Sequence, residues 1–354
     1  FQASNTEYKL TDGSDELAVE LSWTHDSGLK VIKRYQFKRG SYLIDLTQEV
    51  NNQSDSNWAA RSYVQLQRSE PYDPKKSSFI YTFTGAAYYS PEYKYEKISF
   101  EDIIDNKISL EINDGWVAML QHYFLSAWIP PRGETRTIFT NHLSGPRYVI
   151  GMYSPTVAVR PGDSHSFSTQ FYAGPKLQNE LAKVADGLEL SVDYGWLTIL
   201  AQRIFWLLNK LHSLVNNWGV AIILLTILIK LAFYKLSETS YKSMANMRKL
   251  TPRLQVLKDR YGDDKERLNQ AMMEMYKKEK INPLGGCLPI VVQIPVFIAL
   301  YWVLLESVEM RHAPFALWIN NLSAPDPYFI LPLIMLFPCS FNKNSIRRLW
   351  IQYK

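Results

Sequence analysis

The chain has 354 residues, 47% of them hydrophobic and 21% charged, with a formal net charge of +5. So mild a basic excess gives no electrostatic footprint for nucleic acid, and the basic residues gather beside apolar runs, as they do at membrane surfaces. Two cysteines, Cys287 and Cys339, build neither a disulfide framework nor zinc-ligand spacing, and the six histidines form no metal pair.

Residues 1–190 read as β. In Leu29 to Phe37, alternation puts Val31, Lys33, Tyr35 and Phe37 on one face. Arg39-Gly40 turns the chain, and Tyr42 to Leu46 resumes an extended pattern. Similar runs recur at Phe79–Phe83, Tyr148–Tyr153 and Ser166–Tyr172. So many short strands predict a large sandwich. From Pro175 to Leu188 the spacing becomes helical, with Leu177, Leu181, Val184 and Leu188 on one stripe, which predicts a helix docked beside the sandwich.

From Trp196 the chain changes character. Residues 196–214 are apolar but interrupted by Gln202, Arg203, Asn209, Lys210 and His212, the mixture of an amphipathic helix lying in a membrane interface. A core helix of a soluble domain has a similar composition. Residues 218–236 are the first spanning candidate, with Trp218 and Tyr234 as interfacial aromatics and a length of about 28 Å. Residues 237–282 are polar and helical. Met247, Leu250, Leu254, Leu257 and Tyr261 form a heptad seam, Gly262-Asp263-Asp264 breaks it, and Leu268, Met272, Met275 and Tyr276 make a second stripe. The pattern predicts a helical hairpin. Residues 284–305 are a second spanning candidate containing Pro289, Gln293 and Pro295. Residues 328–337 begin a third apolar run, cut short by the basic tail at 338–354.

Charge sets the orientation. The hairpin region holds basic residues throughout, from Lys242 and Arg248 to Lys277, Lys278 and Lys280, whereas the connection after the second span has only Arg311. The positive-inside rule puts the hairpin in the cytoplasm and the β region on the opposite side.

Lys230 is the most informative residue. A cation inside a spanning segment costs about 2.5–3.5 kcal/mol at mid-helix. It either faces a hydrated groove or snorkels from the nearby helix end. Thr226, one turn earlier, and Gln293 in the second span favour a groove. Met244, Met247, Met272, Met273 and Met275 first of all pack the hairpin seam; a surface that adapts to apolar partners is the functional alternative. Asp263-Asp264 is by default a solvated acidic pair. No phosphate loop, nucleophile elbow or metal-spaced cluster points to an enzyme, and no cofactor is expected.

Several motifs resemble the YidC family. They are Gly262-Asp263-Asp264-Lys265, the run Lys280 to Cys287, Gln293 to Phe297, and Ala313 to Ile319. In the β region, Thr84 to Tyr88, Gly115 to Gln121 and Val192 to Leu197 also resemble it. The resemblance implies a periplasmic β-supersandwich, similar to sugar mutarotase folds, joined to an α-helical transmembrane core with a cytoplasmic hairpin. It implies a non-enzymatic insertase and chaperone of the bacterial inner membrane, acting alone or beside the Sec translocon. Its partners would be nascent inner-membrane proteins, Sec components, the ribosome and the bilayer. The basic groove residue falls at Lys230, with Thr226 and Gln293 beside it. Met247, Arg248, Lys249, Asp263, Asp264 and Met272 become candidate client or ribosome contacts. The chain departs from the pattern in three ways. No membrane anchor precedes Phe1, the motifs stop after Met335, and Arg203-Ile204 replaces a Pro-Leu pair. On that basis the expectation is a chain truncated at both ends. An inert insertase remnant and a membrane-tethered sugar-binding or mutarotase-like protein are the alternatives.

Overall fold

A computed structural model describes residues 1–69, 82–262, 264–279 and 288–336. The strand expected at Phe79–Phe83, the turn residue Asp263, the Lys280–Cys287 motif with its cysteine, and the basic tail fall wholly or partly outside the described residues. The chain divides into two compact units, Phe1–Asp193 and the residues from Tyr194 onward.

The first unit is a large all-β domain, with every pairing antiparallel. Its larger sheet contains β1 (Gln2–Ala3), β2 (Glu16–Thr24), β3 (Leu29–Lys38), β4 (Leu43–Asn52), β7 (Gly85–Ser90), β8 (Lys94–Ile98), β10 (Trp116–Leu120), β11 (Phe124–Ile129) and β15 (Ser164–Pro175). Their order across the sheet is β1-β2-β3-β4-β15-β11-β10-β7-β8. A second sheet, ordered β6-β13-β12-β9, is made by β6 (Tyr63–Ser69), β9 (Ser109–Asn113), β12 (Thr135–Leu143) and β13 (Arg147–Tyr153). A small ladder pairs β5 (Trp58–Ala60) with β14 (Val157–Val159). The runs expected from Leu29, Tyr42, Tyr148 and Ser166 are β3, β4, β13 and β15.

Burial follows from which faces are covered. In β12, Arg136, Ile138 and Thr140 are buried while their neighbours are not, the alternation of a strand with one covered face. Every residue of β10 is buried. On one side Val117 and Met119 join Ile138, Ile150 and Met152 of the second sheet. On the other, Trp116, Ala118 and Leu120 meet Leu181 and Leu188. Leu181 belongs to helix α2 (Gln178–Val184), and Leu188 opens a short 3-10 turn at Leu188–Ser191. The leucine stripe therefore docks on the larger sheet in two pieces, separated at Gly187, whose φ is +76°. Helix α1 (Phe100–Asp105) begins with a reciprocal cap between Ser99 and Asp102 and buries Phe100 and Ile103.

Trp116 anchors this core. It is 1% exposed, and its indole Nε1 donates to the Asp186 carbonyl at 3.1 Å. Tyr89 stacks on it with ring centroids 6.1 Å apart, and Tyr95 lies 6.0 Å away at a tilt. Gly115, just before it, has φ +135°, and a Cβ there would lie 2.0 Å from the Tyr89 carbonyl oxygen.

The second unit is helical. A 3-10 turn at Gly195–Leu197 leads into α3 (Thr198–Val215). Asn216, with φ +50°, ends α3, and Asn217 starts α4 (Trp218–Ala232) by accepting the Val220 N–H at 3.1 Å. Then come α5 (Tyr234–Tyr261), α6 (Lys265–Lys278) and α7 (Leu288–Glu306). A final helical stretch covers residues 330–336. Helix α4 stops four residues short of the expected Leu236, because the chain bends by 62° at Phe233 and continues as α5. Among the described residues no single helix is long and apolar enough to cross a membrane; the bent pair α4 and α5 passes the test of length and composition together.

Candidate functional site

Helix α3 buries Ala201, Ile204, Phe205 and Leu208, and packs against both α4 and α7. Its other face shows Ile199, Trp206 and Leu214 interleaved with Gln202, Arg203 and Lys210, all exposed. The helix contains no acidic residue.

On α4, residues three and four apart share a face. Gly219, Ile222, Ile223, Thr226 and Lys230 therefore make one stripe along the helix. Its first part borders an open pocket of about 510 Å³, lined on its other side by Phe315, Trp318 and Leu331 from the chain after α7. Two contacts fix that end. Asn217 Nδ2 donates to the Phe315 carbonyl at 2.9 Å. The Phe315 ring sits so close to Gly219 that a Cβ there would come within 2.2 Å of it. Asp326 holds the far wall by accepting from Trp318 Nε1 at 3.0 Å and from the Leu331 N–H at 2.8 Å. The Leu331 bond comes first among the causes that keep its carboxyl below the ordinary range.

The other end of the stripe is polar. Thr226 is half-buried and returns its hydroxyl to the Ile222 carbonyl at 2.8 Å, so the backbone absorbs its polarity. Lys230 is exposed in the last helical turn, where a cation also complements the helix dipole. Gln293 is half-buried on α7, within two residues of Pro295. Sequence reasoning named Thr226 and Lys230 on this stripe and not Gly219 at its other end. The isolated Gly219 in an otherwise bulky helix start was the available signal.

The hairpin splits the remaining candidates by direction. Helices α5 and α6 pack together, and Met247, Leu250, Leu254, Leu257 and Tyr261 are all buried or half-buried. Met272 is half-buried in the facing stripe of α6, while Met273 is exposed. Asp264 caps α6 by accepting the Arg267 N–H at 3.0 Å. Arg253 and Glu279 tie the two helices at 2.5 Å. Arg248 and Lys249 point outward. Asp263 lies outside the described residues. Two exposed pairs, Lys242–Glu238 and Lys235–Glu238, brace the start of α5, and the Lys242 hydrogen bond lowers the Glu238 pKa.

Comparison with known proteins accounts for both units. The sequence model of the YidC periplasmic domain matches residues 1–207, and that of the 60Kd inner membrane protein matches residues 210–347. The second match runs twelve residues past Met335, where the family motifs end. The chain is 56% identical over 336 residues to the membrane protein insertase YidC of Alkalilimnicola ehrlichii, covering 95% of this chain and 60% of that protein. It is 54% identical to the protein of the same name in Methylococcus capsulatus, covering 95% and 62%. The chain thus spans about 60% of the length of these relatives. A galactose mutarotase-related enzyme from Lactobacillus acidophilus aligns with a TM-score of 0.33 and 11% identity, over 48% of this chain and 71% of that one, too slight a likeness to argue from.

Proposed function

The chain belongs to the YidC family of inner-membrane proteins, and from that premise we propose that it acts as a membrane protein insertase and chaperone. The carrying observation is the α4 stripe, which runs from an apolar cavity at Gly219 to an exposed cation at Lys230. An entering segment needs a polar station for its hydrophilic tail and an apolar path toward lipid for its hydrophobic part. Lys230, Thr226 and Gln293 supply the first in a shared hydrated groove. The relatives' names support this reading and lend nothing to a sugar-binding protein or an inert remnant.

In this proposal α3 lies in the outer interface, α4 and α7 enter the bilayer, the β domain is periplasmic and the α5–α6 hairpin is cytoplasmic. The clients are nascent inner-membrane proteins. Arg248 and Lys249 are the outward hairpin residues available to a client, the ribosome or Sec components, while Met247 and Met272 back that surface from the seam and Asp264 caps α6 beside it; Asp263 stays a candidate contact by sequence alone. No step requires a cofactor.

The function is tested by reconstituting the protein into liposomes and following one single-span client. Protease-protected client should rise above that in empty liposomes. Equal protection in both would remove the insertase reading.

Orientation has its own test. Ser54→Cys in the β domain should react with a membrane-impermeant maleimide added from the periplasmic side of spheroplasts, and Ser243→Cys in α5 should react only after lysis. The opposite pattern would invert the topology.

A further inference from the structure

The first half of α5 carries a face that neither the hairpin seam nor the groove accounts for. Seven residues make almost two helical turns, so residues seven apart fall in one column. Tyr234, Tyr241 and Arg248 form one column, Lys235, Lys242 and Lys249 form the next, and every one of them is exposed. Ala245 and the half-buried Glu238 lie between the columns. Met247, Leu250, Leu254 and Leu257 fall on the opposite side, in the seam with α6.

The charge of this face is mostly positive. Between Tyr234 and Thr251 the only acidic residue is Glu238, which Lys242 meets at 2.7 Å and Lys235 at 3.5 Å. One carboxylate cannot offset the cations at Lys235, Lys242, Arg248 and Lys249. The rings of Tyr234 and Tyr241 are 59% and 71% exposed. Amphipathic rings of this kind gather at the level of lipid headgroups.

The bend after α4 sets the depth. Helix α5 departs from α4 by 62°. With α4 along the membrane normal, each residue of α5 therefore rises only about 0.7 Å away from the bilayer. Tyr241 stands about 5 Å beyond the end of α4, and Lys249 about 11 Å. The headgroup layer is about 5–8 Å deep, and charges act across a further ~8 Å at physiological salt. The tyrosines and the first two lysines thus lie within the headgroups. Arg248 and Lys249 stand just above them, within electrostatic reach and still open to a protein.

We infer that this face of α5 rests on anionic phospholipid headgroups of the cytoplasmic leaflet. Tyr234 and Tyr241 set their rings among the headgroups, and the four cations face the phosphates. The inference rests on the reading that α4 enters the bilayer. RNA would also satisfy the cations, but the shallow wedge between the start of α5 and the bilayer leaves no room for a nucleic-acid helix.

The test puts the full chain, carrying Cys287→Ser and Cys339→Ser, into nanodiscs of phosphatidylcholine alone or mixed with phosphatidylglycerol. Ala245→Cys holds a bimane dye on the face, and Met273→Cys holds one at an exposed site of α6 as the control. Acrylamide, a neutral quencher, reads exposure. Each lysine near an anionic surface is worth roughly fivefold in occupancy, so phosphatidylglycerol should lower quenching at Ala245→Cys by about twofold or more. The difference should vanish at about 1 M salt, where screening leaves a range of ~3 Å. Quenching at Met273→Cys should be alike in both discs. Lys235→Gln, Lys242→Gln and Lys249→Gln together should abolish the difference. Glu238→Gln releases two lysines and should carry the protection to higher salt, whereas a carboxylate that only braces the helix would give more quenching when removed. Equal quenching in both discs, equal protection at both sites, protection that survives the triple substitution, more quenching in Glu238→Gln, or protection by a short RNA in phosphatidylcholine discs as large as that by phosphatidylglycerol would each overturn the inference. No client is present, so failure here is distinct from failure of the insertase reading.

Discussion

Lys230→Glu is expected to suppress insertion of a client with an acidic N-terminal tail roughly fivefold or more, while a client differing only in a neutral tail is inserted nearly as before. The magnitude follows from Coulomb's law. A lone pair about 4 Å apart is worth ~1 kcal/mol in water and ~4 kcal/mol at intermediate dielectric. Charge reversal turns that attraction into repulsion of the same order. Lys230→Arg should work, and Lys230→Ala should fall between. The competing account is that Lys230 merely completes the C-terminal turn of α4, where a cation contributes ~0.3–1 kcal/mol to the helix. That account predicts a small stability loss in Lys230→Ala with no dependence on tail charge. The measurement is proteoliposome insertion of the client pair at matched protein levels, and equal insertion of both by all four proteins would leave Lys230 as a helix-end cation only.

In the β domain, Trp116→Ala should cost about 3–5 kcal/mol, the usual range for emptying a large aromatic site. Trp116 is fully buried, stacked on Tyr89 and hydrogen-bonded to the Asp186 carbonyl, so truncation removes packing and leaves that acceptor without its donor. A domain of this size has ~5–15 kcal/mol in total, so the loss is a large fraction of it. At about 2–4 °C per kcal/mol, the melting transition should fall by roughly 6–20 °C. Trp23→Ala on β2, where the ring is 38% exposed, should cost less than about 1 kcal/mol. Differential scanning calorimetry of the two variants decides the matter. Similar melting temperatures for both would mean that the core does not depend on Trp116.

The sequence was most legible where one element's pattern is closed on itself. The hairpin seam is an example: Met247, Leu250, Leu254, Leu257 and Tyr261 sit inward because a heptad spacing can bury nothing else. The apolar run of β10 was noted only as a motif resembling the family and not as a strand, although an unbroken apolar run is what a strand covered on both faces carries. Contacts between distant parts were not legible. Phe315 closes on Gly219 and Asn217, the latter 98 residues away in sequence, and neither neighbourhood carries a pattern that names the other. The end of α4 was also misjudged, since Phe233 to Leu236 keeps the composition of a span, and composition does not record a change of direction.

The bend at Phe233 sets a distance. Helix α5 has 28 residues, a rod about 42 Å long. Inclined 62° from α4, its far end at Tyr261 stands roughly 37 Å to the side of the α4 axis. The tip of the hairpin is therefore a boom held out over neighbouring ground, not a post above its own helix. Whatever meets that tip stands about one small protein's width from the point where α4 ends.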